Sequence, residues 1–244
     1  MSRAGTLLFD YSFPCGVGGS SPAGQLIEAS DGNFYGTTAL GGSGTACGAN
    51  GCGTVFELTQ QGSVSILYSF KGGREDGAEP VAGLAQATDG NLYGSTSSAG
   101  VSNAGTLYQI TTGGTEKLLY SFVDSVGERP GATLLQHTNG NFYGAAEGGG
   151  KYGEGSLYSL SMGLGPFVTF VLPAGRAGQS AQILGQGLNG TTGVTFNGIP
   201  ATSFRVESDT FMTAVVPSGV TSGPVVVSTR TGLLTSNVNF RILQ

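Results

Sequence analysis

The chain has 244 residues, of which 45 are Gly, 9 are Pro and none is Trp; 10% are charged and the formal charge is −5. No Lys/Arg cluster is present to displace counterions from nucleic acid, and no apolar run approaches the ~20 residues that span a bilayer. The glycines follow no Gly-X-Y period and stand beside Tyr, Phe, Leu and Val, a pattern of short strands and tight turns, and the hydrophobic share of 39% supplies cores for one or two domains.

The opening segment, MSRAGTLLFDYSF, has no apolar stretch long enough for a signal peptide, so any export signal is expected to lie outside this chain. Its last three residues begin a repeat. Tyr11–Phe13 recurs at Tyr68–Phe70 and Tyr120–Phe122; Asp31–Gly36 (DGNFYG) recurs at Asp89–Gly94 and Asn139–Gly144; Gly53–Phe56 (GTVF) recurs at Gly105–Tyr108 and Gly155–Tyr158. A period near fifty residues marks a repeat architecture.

Cys47 and Cys52 enclose a short Gly-rich loop in the first copy, and Cys15 is left over. The pair reads either as a disulfide that closes the loop or, with Cys15, as reduced thiols. Without a second pair or a nearby His it makes a poor zinc site, and no metal or cofactor is expected.

The middle copy parses most clearly. SILYSF (Ser65–Phe70), AGLAQAT (Ala82–Thr88), NLYGST (Asn91–Thr96) and GTLYQIT (Gly105–Thr111) are β-rich runs bounded by Gly, Asp, Asn or Pro. Type I′ hairpin turns are expected at Asp31, Asp89 and Asn139. Four strands in about fifty residues describe one antiparallel propeller-type blade. Three blades are expected within residues 1–163, as repeats at about 6–63, 64–114 and 115–163.

Propellers close with about four to eight blades, so three leave the ring short. Other copies complete it, the chain belongs to a longer protein, or the blades stack openly. Asp10 stands where the other copies have Leu67 and Leu119, which reads either as an unburied first strand at an open edge or as drift within the repeat.

The repeat stops after Leu160, and Gly and Pro mark a linker at residues 164–173. From 174 to 244, six or seven short strands with turns every eight to twelve residues read as an Ig-like sandwich. The expected fold class is therefore all-β: three four-stranded antiparallel propeller-type blades followed by an Ig-like β-sandwich.

The series of Tyr-Ser-Phe, Asp-Gly-Asn-x-Tyr-Gly and Gly-Thr-x-Phe/Tyr over Thr6–Leu160 resembles the bacterial GloVer tandem repeat of predicted exported or surface-anchored proteins. The tail, with VTFNG, VPSG and SGPVVV in that order, resembles an IPT/TIG domain. Cys47–Phe56 matches the Cys-bearing variant of the repeat, and this resemblance supports a Cys47–Cys52 bridge. It implies location and architecture, and no enzymatic activity.

Chemistry is sparse. His137 stands alone, where the other copies carry Ala29 and Ala87, and reads as structural. Without a second His, neither a Ser-His-Asp triad nor a His-based metal site is well supported. Glu75, Asp76 and Glu79, with Asp124 and Glu128 of the third copy, occupy equivalent loops where a carboxylate pair would suit glycoside hydrolysis; solvated loop charges are the plainer reading. Asp31, Asp89 and Asn139 give each turn at most one carboxylate, too few for calcium. Tyr35, Tyr93 and Tyr143, with Phe56, Tyr108 and Tyr158, read as core before they read as a sugar-binding groove. Asn189–Thr191 matches a glycosylation sequon and reads as a turn. No catalytic residue is assigned.

Taken together, these features point to a non-catalytic extracellular or cell-surface binding or scaffold protein. A polysaccharide or surface-protein ligand is possible, and self-association through blade edges is expected. The alternatives are a self-assembling structural protein and a carboxylate-based glycoside hydrolase.

Overall fold

The computed structural model describes residues 10–243, so the expected strand start at residues 6–9 lies outside the described residues. Among the described residues the fold is all-β, with short strands and three single 3₁₀ turns. Among the described residues no helix is long and apolar enough to cross a membrane. The chain divides into two compact units: one runs to Leu135 and resumes over Tyr143–Ser159, the other comprises Gln136–Phe142 and the chain from Leu160 onward.

In the first unit the first two sheets are antiparallel, and so is the pairing of Glu128–Pro130 with Phe142–Gly148. The first pairs Phe34–Leu40 with Ser20–Pro22 and Ile27–Glu28, then with Thr54–Leu58, which pairs with Val64–Ser69. The second runs Ala85–Gln86, Leu92–Thr96, Thr106–Ile110, Glu116–Ser121, with Gly77–Ala78 on Ser98–Ala99 as a separate ladder. The third sets Glu128–Pro130, Leu135–Gln136 and Ser156–Leu160 on Phe142–Gly148.

The sheets are displaced by one strand from the sequence repeats. The Tyr-Ser-Phe strand, read as the first of its repeat, closes the preceding sheet. Local turn geometry explains this: Thr59 N donates to Ser63 O at 2.9 Å, so Val64–Ser69 folds straight back onto Thr54–Leu58. The longer connection from Phe70 to Pro80 then carries the chain to the next sheet. The first Tyr-Ser-Phe, at Tyr11–Phe13, lies in no strand, and Asp10 is exposed.

The DGN turns also differ from type I′. Positive φ occurs at Gly32, Gly90 and Gly140 but not at Asp31, Asp89 or Asn139. Gly32 N donates to Ala29 O, and Ala29 N to Asn33 O, each at 2.9 Å. This is a type I turn with a following left-handed glycine bulge. Asp31 keeps ordinary φ because its side chain is in use: Oδ1 accepts from Asn33 N (3.0 Å) and Oδ2 from Tyr35 Oη (2.6 Å). Asp89 repeats both bonds, with Asn91 N at 3.1 Å and Tyr93 Oη at 2.8 Å.

Other shared residues pack the sheets. Gly36 pairs across strands with Phe56 and Gly94 with Tyr108, and any Cβ at Gly36, Gly94 or Gly144 would strike the ring of Phe56, Tyr108 or Tyr158. A buried hydroxyl pair joins Thr38 to Thr54 (2.8 Å) and Thr96 to Thr106 (2.7 Å). The third repeat has Ala146 and Ser156 there, and Ser156 Oγ is buried with no hydrogen-bond partner. Ser21, Glu79 and Arg129, each immediately before Pro, share φ of 57°, 58° and 55°. A residue before proline normally lies in the β region, so this is one repeated strain.

Within the second unit, one four-stranded sheet runs Thr169–Phe170, Ser180–Leu184, Phe211–Val215, Phe204–Ser208, and another Ile199–Pro200, Thr191–Phe196, Val225–Thr229, Gly232–Thr235. Ala174–Gly175 pairs in parallel with Arg241–Ile242. Alternation along Ser180–Leu184 buries Ala181 and Ile183. They share one apolar core with Met212 and Ala214 of their own sheet and Val194, Phe196, Val225 and Val227 of the other. Phe240 meets Phe170 and Phe196 edge to face at 5.1 and 5.3 Å. Val168 and Phe170, inside the stretch read as a linker, belong to this core.

Candidate functional site

A cleft of about 530 Å³ opens between the closing strands of the first and second sheets, lined by Tyr68, Lys71, Gly72, Arg74, Glu75, Asp76 and Glu116. Tyr68 comes from Val64–Ser69 and Glu116 from Glu116–Ser121, while the connection after Phe70 supplies the rest.

Asp76 is buried and fully held. Its Oδ2 accepts from Tyr68 Oη (2.9 Å) and Lys71 N (2.7 Å), and its Oδ1 from Gly77 N (2.7 Å). Glu116 is in a different state. Burial, and then the neighbouring Asp76 charge, push its carboxyl up to about 7, against the opposing pull of Tyr68 and Lys71. Its Oε1 is buried without a hydrogen-bond partner. Burial and the Asp76 carboxylate likewise hold the Tyr68 phenol above its usual range. The cleft thus combines a fixed anion, a carboxyl that holds its proton near neutrality, and two cationic side chains.

The wall of the cleft rests on the first repeat. The sulfurs of Cys47 and Cys52 are joined, and a Cβ on Gly72 would lie 2.8 Å from Cys52 Sγ and 3.1 Å from Cys47 Sγ. Only glycine leaves room there, and at φ +71° it also bears the backbone least strained. Cys15 is exposed and unpaired.

The loop carboxylates separate. Glu75 and Asp76 reach the cleft, while Asp124 and Glu128 are not among its lining residues. Glu128 pairs with Arg129 at 3.6 Å, and Glu79 N donates to Cys52 O (2.9 Å). Glu116 shares the cleft with Asp76 and was passed over by sequence reasoning. Its signal was a charge at the start of a strand whose counterpart in the previous repeat is Val64. His137 Nδ1 accepts from Asn139 N (3.3 Å) in its turn. Among the described residues no group of three or more His, Cys, Asp or Glu is arranged to hold a metal. Tyr35 and Tyr93 are buried, whereas Tyr143 is exposed. Asn189 N donates to Asp209 Oδ1 (3.3 Å) within a 3₁₀ turn.

Residues 43–201 match the Gloeobacter/Verrucomicrobia repeat, which is more than half of the chain. The chain belongs to this repeat family. The match extends past Leu160, where the sequence repeat stops. Among curated proteins no sequence matches the chain. Solved structures similar to this member of the Gloeobacter/Verrucomicrobia repeat family are distant. A streptogramin B lyase is 13% identical over 87% of this chain and 63% of its own, at a TM-score of 0.37. A fungal alcohol oxidase with copper is 15% identical over 87% and 52%, at 0.36. The Bacteroides ovatus SGBP-B, in complex with a mixed-linkage heptasaccharide, is 16% identical over 97% and 68%, at 0.29. This chain spans less than two thirds of the length of the lyase and the oxidase.

Proposed function

We propose that this repeat protein is a non-catalytic binding module of the cell surface or extracellular space, with propeller-type blades at Ser20–Ser69, Gly77–Ser121 and Glu128–Leu160 and an Ig-like, IPT/TIG-type domain after them. Its ligand is a polar, hydroxyl-rich chain such as a glycan, held in the cleft of Tyr68, Lys71, Arg74, Asp76 and Glu116. The observation that carries this reading is the immobilised Asp76 beside the proton-holding Glu116. An ionised acceptor and a carboxyl donor in one cleft with cationic side chains suit the paired hydroxyls of a sugar, which both donate and accept. The Cys47–Cys52 pairing suits an oxidising compartment.

Polysaccharide pull-down and glycan-array binding of the whole chain test this. Retention that Arg74→Ala and Glu116→Ala abolish is the expected result, and no retention on any glycan removes the glycan ligand.

One observation favours a second reading, glycoside hydrolysis. Glu116 holds its proton near neutrality in the same cleft as the immobilised Asp76 carboxyl group, and glycoside hydrolysis uses an acid of that kind with a second carboxyl group nearby. Release of reducing sugar that Glu116→Gln abolishes would establish it in place of simple binding.

A further inference from the structure

Two apolar ends of the first unit copy an interface that the unit already builds twice. Val55 and Leu107, on the strand before each sheet's closing strand, are 0% and 2% exposed; their counterpart in the third sheet, Leu157, is 88% exposed. At the opposite end Leu26 is 44% exposed, while its counterparts Leu84 and Leu134 are 0% and 3% exposed. Val55 is buried in one cluster with Phe70, Leu84 and Leu92, so the internal interface joins the Val55 face of one sheet to the Leu84 face of the next. Leu157 presents the first of these faces and Leu26 the second.

The backbone shows the same two halves. Val64–Ser69 closes the first sheet with Tyr68 opposite Val55 and Ser69 opposite Thr54. Glu116–Ser121 closes the second with Tyr120 opposite Leu107 and Ser121 opposite Thr106. Phe70 N and Phe122 N then donate to Gly53 O (3.0 Å) and Gly105 O (2.9 Å). Ser156–Leu160 has no such strand among the described residues, and Tyr11–Phe13, the first copy of the closing segment, pairs with no sheet.

We infer that the occupant of the third sheet's open side is a second copy of this chain. Its Tyr11–Phe13 pairs with Ser156–Leu160 in the inherited register, Tyr11 opposite Leu157 and Ser12 opposite Ser156, and its Leu26 face covers Leu157. The interface continues the two internal ones and needs no new chemistry. Two chains related by a two-fold axis finish each other's third sheet, and their six sheets fall within the range of about four to eight at which propellers close. This inference is independent of the ligand cleft, since loss of glycan binding leaves the mass of the particle unaffected.

Sedimentation of the full chain at micromolar concentrations tests it. A particle of twice the chain mass is expected, and Leu157→Asp, at a position too exposed to carry the fold, converts it to a monomer with an unchanged circular dichroism spectrum. Register is read by a cross-link. Gly72 approaches Cys52 inside the chain, and the counterparts of these positions are Cys15 and Glu154. Glu154→Cys therefore forms a covalent dimer through native Cys15 on mild oxidation, and Cys15→Ser prevents it. A wild-type monomer, a dimer that survives Leu157→Asp, or cross-linking that survives Cys15→Ser overturns the inference. A monomer whose Leu157 is protected from solvent overturns the inference equally.

Discussion

The rings of Phe70 and Tyr108 meet edge to face with centroids 5.0 Å apart, although the backbone of Phe70 is bonded to Gly53 of the preceding sheet. Phe122 meets Tyr158 at 4.9 Å and Phe13 meets Phe56 at 5.1 Å in the same manner. Phe70 and Phe122 therefore each tie two sheets together, backbone on one side and ring on the other, while Phe13, in no strand, makes the ring contact. The recurrence of this Phe is required by packing.

Phe122 is buried, so Phe122→Ala should cost about 3–5 kcal/mol, read as a lower urea midpoint. Tyr152→Ala, at an exposed site, should change stability by no more than about 0.5 kcal/mol. Equal costs at the two sites would refute the packing explanation.

Tyr93→Phe removes a hydroxyl that donates to Asp89 Oδ2 and accepts from Gln109 Nε2 (3.0 Å). A hydrogen bond to a charged group is worth about 1.5–3 kcal/mol. Thermal unfolding should register a loss of that order, and a similar one for Tyr35→Phe. In an Asp89→Asn background the Tyr93→Phe loss should shrink.

The third repeat carries a correctable defect at Ser156. Installing the Thr pair of the other repeats with Ala146→Thr and Ser156→Thr should raise stability by about 1 kcal/mol, because a buried hydroxyl regains its partner. Ser156→Ala alone should be nearly neutral or mildly stabilising. A lower melting temperature for the double variant would mean that the site has no room for the pair.

Glu116 sets a pH dependence. Its carboxyl rises from 4.5 to about 7 on folding, so between those values the folded chain binds more protons than the unfolded one. Its contribution to stability is then greatest at low pH and is lost as pH rises through about 7. Facing it are Asp76, Tyr68, Lys71, Arg74 and Glu75 in the cleft and Tyr108 behind it. Glu116→Gln stays neutral throughout. Its advantage over wild type should be absent near about pH 4 and reach about 1 kcal/mol above pH 7, solvent screening cutting the rest at a half-buried group. Urea titrations at several pH values would show parallel curves if Glu116 were unperturbed.

Much of the fold was legible in the chain because the repeated residues have local physical duties. Gly94 accommodates the Tyr108 ring and Asp89 holds Tyr93. What the periodicity hid was ownership: a strand that opens a repeat in the text closes the previous sheet in space, because a tight turn outranks textual order. Turn type was misread for a similar reason, since Asp-Gly suits type I′ until the Asp side chain is needed by Tyr four residues later. The site was half legible. Asp76 stood among the loop carboxylates, but Glu116, which shares its cleft, lies forty residues on, in a strand position read only as part of a repeat.

The central claim is that ligand recognition sits in this unrepeated cleft. Amide chemical-shift mapping of the intact chain during titration with a soluble polysaccharide digest tests it most directly. The account predicts shifts confined to Lys71–Gly77, Tyr68 and Glu116. Shifts at Asp31–Gly36 and Asp89–Gly94, with the cleft silent, would contradict it.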